Sequence, residues 1–221
     1  MTSNLTFFVL VFTAIFSIVN PVSGVMAFVS VTSHMKKEDK IYVAKRSVII
    51  GCIIAIIFTL SGNLILNFFS ITVDSLRVAG GILLFLVAID MLFARTTRES
   101  ITSEELSDTA QKENISIFPM AMPMLTGPGA ITTIILYVSK GSDEYSIDIN
   151  TVKMLVIAAI LLTFIIAFLI FRFSDHFSRI VGMTGMMVMT RLMGLFLGAI
   201  AVGFISDGIW NIYIYKMNLP G

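Results

Sequence analysis

The chain has 221 residues, of which 57% are hydrophobic and only 13% charged; soluble domains average roughly 45–50% apolar and about 25% charged. That composition excludes ordinary globular, disordered and collagen-like chains. With Lys+Arg 15 against Asp+Glu 14 there is no basic excess to hold a nucleic acid. The single cysteine, Cys52, can form neither an internal disulfide nor a thiolate cluster.

A bilayer-crossing helix needs about 20 predominantly apolar residues. The first uncharged run goes from Leu5 to about Thr32, with no Lys or Arg before Lys36. It lacks a basic start and a small-residue cleavage site, so it is expected to be a retained span rather than a signal peptide. The second run follows Arg46 and ends at about Phe69. The third lies between Leu76 and Phe93, with Arg77 and Asp90 near its ends. The fourth, Ile117 to Val138, carries Pro119, Pro123 and Pro128. The fifth runs from Met154 to Phe171, and the sixth from near Arg191 to Asp207 or a little beyond. Unpaired backbone groups are not tolerated in lipid, and the runs show no alternation, so helices are expected rather than barrel strands. The expected fold is an all-α integral membrane protein of six transmembrane helices.

Loop charge sets the orientation. Eleven of the basic residues fall in or beside odd-numbered loops: Lys36, Lys37, Lys40, Lys45 and Arg46, then Arg95, Arg98 and Lys112, then Arg172, Arg179 and Arg191. The other four are Arg77, Lys140, Lys153 and Lys216. Positive residues stay cytoplasmic, which puts the odd loops inside and both termini outside. The long stretch from about Ala94 to Ser116 is expected to link two halves, with a short surface helix at "TSEELSDTAQKE", where Thr102 and Glu105 have capping-box spacing.

The two halves echo each other weakly. "NPVSGVMAF" in the first span and "TGPGAITTI" in the fourth each hold a proline, Pro21 and Pro128, 107 residues apart. Arg77-x-x-Gly80 opens the third span and Arg191-x-x-Gly194 the sixth, 114 apart. Three spans per half is an odd number, so the halves are expected as two inverted three-helix repeats, residues 1–95 and 117–221, joined by a cytoplasmic linker, 96–116. Inverted repeats with broken helices at matching positions are the architecture of many carriers.

"NPVSGVMAFVSVT", "LRVAGGILLFLVAIDML", "PMAMPMLTGPGAITTII" and "RLMGLFLGAIAVGFISDGI" together resemble the MarC family of multi-pass membrane proteins. The likeness covers nearly the whole chain, and "PMLTGPGAI" and "RLMGL" are its most specific parts. It implies six spans, kinship with the LysE-like carriers and, for some members, transport of small neutral amino acids such as alanine or glycine. It also implies the cytoplasmic membrane of a prokaryote. Gly203 departs from the family pattern, where a polar residue such as Gln is common.

Proline removes a backbone donor and disrupts the preceding turn. Breaks at Pro21, Pro123 and Pro128 are therefore expected to leave half-helix amino ends in the membrane, suited to a substrate carboxylate. The expected substrate-facing residues are Asn20, Ser23, Gly24, Thr126, Gly127 and Gly129, with Pro128→Ala expected to straighten the fourth span. The alternative is a pair of packing kinks satisfied by Ser and Thr. A polar cavity at the breaks suits a carrier, and tight packing suits a scaffold. Asn63 either binds substrate or pairs helices, and Asn67 is the weaker choice of the two. Asp90 and Asp207 are the acids inside the spans, and either couple transport to protons or sodium or sit as interfacial carboxylates.

No GxxxxGK[ST] loop is present, so ATP hydrolysis is not expected. No span holds His, Leu60-Ser61-Gly62 lacks the preceding glycine of a nucleophile elbow, and Asp90 and Asp207 are expected at opposite faces, where no proton can be shared. The expectation is a secondary carrier, not an enzyme, without cofactor or metal, and able to form a homo-oligomer. The other readings are an exporter of another ion or metabolite and a non-transporting scaffold.

Overall fold

The uncharged runs become helical, the first and fourth with an interruption, because a helix pairs its own backbone groups in lipid. In the computed structural model, which describes residues 2–33, 35–93, 112–143 and 145–217, these are α1 (Thr2–Val19), α2 (Pro21–Val31), α3 (Lys37–Phe68) and α4 (Val73–Leu92). A four-residue α5 (Lys112–Ile115) leads into a proline segment (Ser116–Leu125). Then follow α6 (Pro128–Asp143), α7 (Ile149–Arg172) and α8 (Ser174–Met217). No strand occurs among the described residues. Five helices are long and apolar enough to cross a membrane, or six when the bent pair Glu113–Leu125 and Pro128–Ser142 counts as one span. Thr102 and Glu105 lie outside the described residues.

Ion pairs and ring contacts sort the helix ends into two faces. Lys40 reaches Asp175 at 3.4 Å and Arg46 reaches Glu113 at 3.3 Å, so the ends beside the first, third and fifth loops share one face. At the other face Lys140 lies 3.6 Å from Asp207, and Asn211 Nδ2 donates to Asp74 at 2.9 Å. Phe7, near the start of α1, packs against Tyr145 there, with ring centroids 5.3 Å apart. Both ends of the described chain thus lie with the even-numbered loops. Short polar residues stop the spans at this face. Thr72 caps α4 by accepting from Ser75 N at 3.1 Å, and Asp148 caps α7 by accepting from Asn150 N at 3.0 Å.

Two boundaries differ from the sequence expectation. α3 begins at Lys37 rather than after Arg46, with Glu38 and Asp39 in a first turn that favours acids. α8 begins at Ser174, well before Arg191, and runs on to Met217. The stretch before Arg191 holds four methionines, good helix formers, and the only break in α8 is Gly182, at φ 67°.

Spans three apart in sequence pack on one another: α1 on α6, α3 on α7 and α4 on α8. Lipid supplies no hydrophobic drive between helices, so close packing through small residues must hold them. The α4–α8 seam shows how. A Cβ at Gly194 would meet the Ala88 carbonyl oxygen at 3.0 Å, and one at Gly81 would meet that of Ala201 at 3.0 Å. Backbone cannot retreat as a side chain can. Gly194→Val should therefore destabilise the protein by about 1–3 kcal/mol, seen as a lowered midpoint in a thermal melt in detergent. Gly203→Ala, where a Cβ meets nothing within 4 Å, should leave the midpoint unchanged.

Candidate functional site

The first break is set by one residue. Asn20 stands between α1 and α2 in the left-handed region, φ 42° and ψ 62°, where Asn is tolerated better than most residues. Pro21 then opens α2, where its missing N–H would have had no partner in any case. The Asn20 side chain does two jobs. Its Oδ1 accepts from Ser23 N at 3.4 Å, and its Nδ2 donates to Ser23 Oγ at 2.6 Å.

The hydroxyls continue the chain. Ser23 Oγ contacts Thr190 Oγ1 of α8, and Thr190 Oγ1 donates to the Met186 carbonyl at 2.8 Å. A hydroxyl has one proton. With Thr190's proton on Met186, Ser23 is the donor to Thr190, and Asn20 the donor to Ser23. The polar string therefore runs in one direction from the break in the first span to the backbone of the last. Asn20 and Thr190 are buried, and Ser23 is half-buried.

The second break is built differently. Phe118 and Met122 are extended, each before a cis proline, Pro119 and Pro123. The chain then turns by 52° before α6. Thr126 N donates back to the Ala121 carbonyl at 3.0 Å, and Thr126 Oγ1 donates to the Gly51 carbonyl of α3 at 2.9 Å. Gly127 is required here, because a Cβ would lie 2.5 Å from the Pro123 carbonyl oxygen. The half-helix amino end expected at Gly127–Gly129 is present, but Pro128 is not what makes the break. Pro128 is the first residue of α6, a position proline occupies without disrupting a turn. The interruption lies upstream, at Phe118–Gly127, and replacing Pro128 would not straighten it.

The two breaks meet. A Cβ at Gly129 would lie 3.1 Å from Ile18 Cδ1, two residues before Asn20, and 3.4 Å from Leu84. Gly24, by contrast, faces the Phe171 ring of α7, with 3.0 Å to Cζ. Asn63 falls within α3, and its side chain lies outside the described residues; Asn67 is exposed at the end of the same helix. Asp90 and Asp207 are both half-buried and lie at opposite ends of the α4–α8 pair. Arg77 is buried and ion-paired with Asp74 at 3.2 Å. Gly203 is exposed.

Two polar residues were not singled out from the sequence. Thr190 precedes "RLMGL" with nothing to mark it as a partner of Ser23. Thr163 of α7 is fully buried, and its hydroxyl has no hydrogen-bond partner among the described residues. Its neighbour Phe164 packs on Gly51, beside Thr126.

The break region is packed: Asn20, Thr126 and Gly129 are covered. Two cavities instead open at the even-loop face, one lined by Asp74, Arg77, Asp207 and Asn211, the other by Asn67, Ser70, Thr72, Ser139 and Ser142.

If Gly127 holds the second break, Gly127→Ala should cut the level of folded protein in membranes severalfold, whereas Pro128→Ala should leave it near normal. Fluorescence-detected size exclusion of solubilised membranes reads both.

The comparisons with known proteins agree with this architecture. The model of the MarC family integral membrane proteins matches residues 5–213. A UPF0056 membrane protein of Methanocaldococcus jannaschii is 37% identical over 206 residues, covering 93% of this chain and 97% of its own. One of Aquifex aeolicus is 35% identical, covering 93% of each chain. The Bacillus subtilis UPF0056 membrane protein YvbG is 33% identical, covering 94% of this chain and 96% of its own. No solved structure matches. A matching model over nearly the full length, on a chain with five or six candidate spans, places it in the MarC family of integral membrane proteins.

Proposed function

We propose that this protein is a secondary carrier for small neutral amino acids, with the substrate bound where the two breaks meet. The observation that carries the reading is the juxtaposition of two interrupted spans, one from each half of the chain, through Ile18 and Gly129. The pairing of spans three apart in sequence supports an inverted repeat, in which rocking one half against the other would expose the site to each side in turn. The Asn20–Ser23–Thr190 string supplies polar groups inside the membrane, and the unpartnered Thr163 hydroxyl supplies another. A buried hydroxyl without a partner is unfavourable by about 1–3 kcal/mol. The covered breaks belong, on this reading, to a state in which the site is closed.

The excess of basic residues beside the odd loops supports placing that face in the cytoplasm and both termini outside. Asp90 and Asp207 are the acids through which a proton or sodium ion would couple.

One observation favours a scaffold instead: the breaks are packed rather than hollow. Counterflow separates the two readings. Proteoliposomes preloaded with unlabelled alanine should accumulate labelled alanine above protein-free vesicles. Ser23→Ala and Thr190→Val should each lower the initial rate at least tenfold at normal insertion, since each interrupts the polar string. No accumulation of alanine or glycine by inserted, folded protein would overturn the reading.

A further inference from the structure

The cavity between the start of α4 and the end of α8 has a chemistry of its own. Gly208 makes the approach possible: a Cβ there would lie 2.9 Å from the Asp74 carbonyl oxygen and 3.0 Å from Arg77 Cβ. The close contact brings Asp207 and Asn211 of α8 beside Asp74 and Arg77 of α4. Together with Ser206 and Trp210 they line a cavity of about 570 Å³, within the range of roughly 300–1,000 Å³ usual for small-molecule sites.

The charges in and around it balance. Asp74 accepts from Arg77 Nη1 at 3.2 Å and from Asn211 Nδ2 at 2.9 Å, both on the same oxygen, Oδ1. Asp207 pairs with Lys140 at 3.6 Å. A net anion entering the cavity would meet two carboxylates, and a net cation would meet a guanidinium and an ammonium. A molecule carrying both charges close together meets neither penalty. Its acidic oxygens can face Arg77, whose planar fork suits them. Its ammonium can face Asp207, with the Trp210 ring alongside.

We propose that this cavity binds a zwitterion in which an ammonium stands next to an acidic oxyanion. Two sources share that chemistry: a free α-amino acid arriving from the aqueous side, and the ethanolamine phosphate headgroup of a lipid at the membrane interface. The free amino-acid form rests on the carrier reading above and adds to it a second site at the even-loop face, apart from the breaks. The headgroup form does not depend on that reading.

Trp210 is the chain's one tryptophan and lies in the wall of this cavity, so its emission is read from this place. The test is a titration of that emission in detergent-purified protein with four probes: L-alanine, glycerophosphoethanolamine, propionate and ethylammonium. One or both zwitterions should give a saturable change. Propionate and ethylammonium should need at least tenfold higher concentrations. Asp207→Asn should raise the half-saturation at least tenfold. Asp207 is only half-buried, so a thermal melt should show that variant folded. Which zwitterion acts identifies the source. No saturable change with either zwitterion would overturn the inference, as would an equal response to a singly charged probe. So would a response lost in Ser23→Ala but kept in Asp207→Asn, because the signal would then come from the breaks. Counterflow without a Trp210 response removes this site and leaves the carrier; a response without counterflow removes the carrier and leaves the site.

Discussion

In lipid every backbone N–H and C=O must find a partner inside the protein. A span interrupted by proline can exist only where neighbours take over the bonds the helix gives up. Both interrupted spans obey this, and the rest of the bundle is arranged around the way they do it. At Asn20 the substitute is the residue's own side chain, which takes the Ser23 amide. At Thr126 it is a long bond back to Ala121 and a hydroxyl reaching across to Gly51 of α3. The first solution is local, and Asn4–Val31 still makes one span. The second needs α3 beside it, and Gly51 must be glycine, since a Cβ there would lie 2.9 Å from Thr126 Oγ1.

This difference bears on how alike the halves are. Asn20 offers α2 a side-chain cap, whereas α6 follows Gly127, which has none to offer. The amide groups at the start of a helix carry partial positive charge and lack intrahelical acceptors. The end that its own side chain has already satisfied is the weaker attraction for an anion. If the two breaks share a solute, they share it unequally, with α6 suited to the carboxylate and the Asn20–Ser23–Thr190 string to groups that hydrogen-bond without charge.

The spans were legible in the sequence because the forces that set them are one-dimensional. A charge is expensive in hydrocarbon, so Arg77, Asp90 and Lys140 lie near span ends whatever the tertiary structure. The same economy let the loop charges forecast which ends share a face, and the Lys40–Asp175 and Arg46–Glu113 pairs join those ends. The prolines announced that two spans are interrupted and placed the first break, at Asn20–Pro21, but not the extent of the second. Pro128 stood out from the sequence, yet it is harmless at a helix start; the work is done by Phe118, Met122 and Gly127, whose backbone states depend on their neighbours. Thr190 was invisible for a similar reason. Its partner Ser23 is 167 residues away, and no local pattern encodes a contact of that span. The length of α8 is not legible from Arg179 and Arg191, whose charges read as a loop, because Arg191 is exposed on a continuing helix, where its charge does not interrupt the backbone pattern.

The contacts joining the two halves differ greatly in strength along the membrane normal. At the odd-loop face the cross-links are Lys40–Asp175 and Arg46–Glu113, with Asp175 60% and Glu113 58% exposed. Pairs so open to water contribute about 0–1 kcal/mol each. Along the α4–α8 seam the contacts are backbone against glycine, at Gly81, Gly194 and Gly208. Separating surfaces packed so closely forfeits dispersion contacts that lipid chains, being unable to follow the groove, do not restore. A relative movement of the halves would therefore part the charged ends readily and turn about the glycine seam, which stays closed. The even-loop cavity sits against one end of that seam, with Gly208 in its wall and Asp74 and Asn211 bonded across it. The charged groups of that cavity are thus held by the contact between the halves that is hardest to separate, and their spacing should stay nearly constant through any such motion.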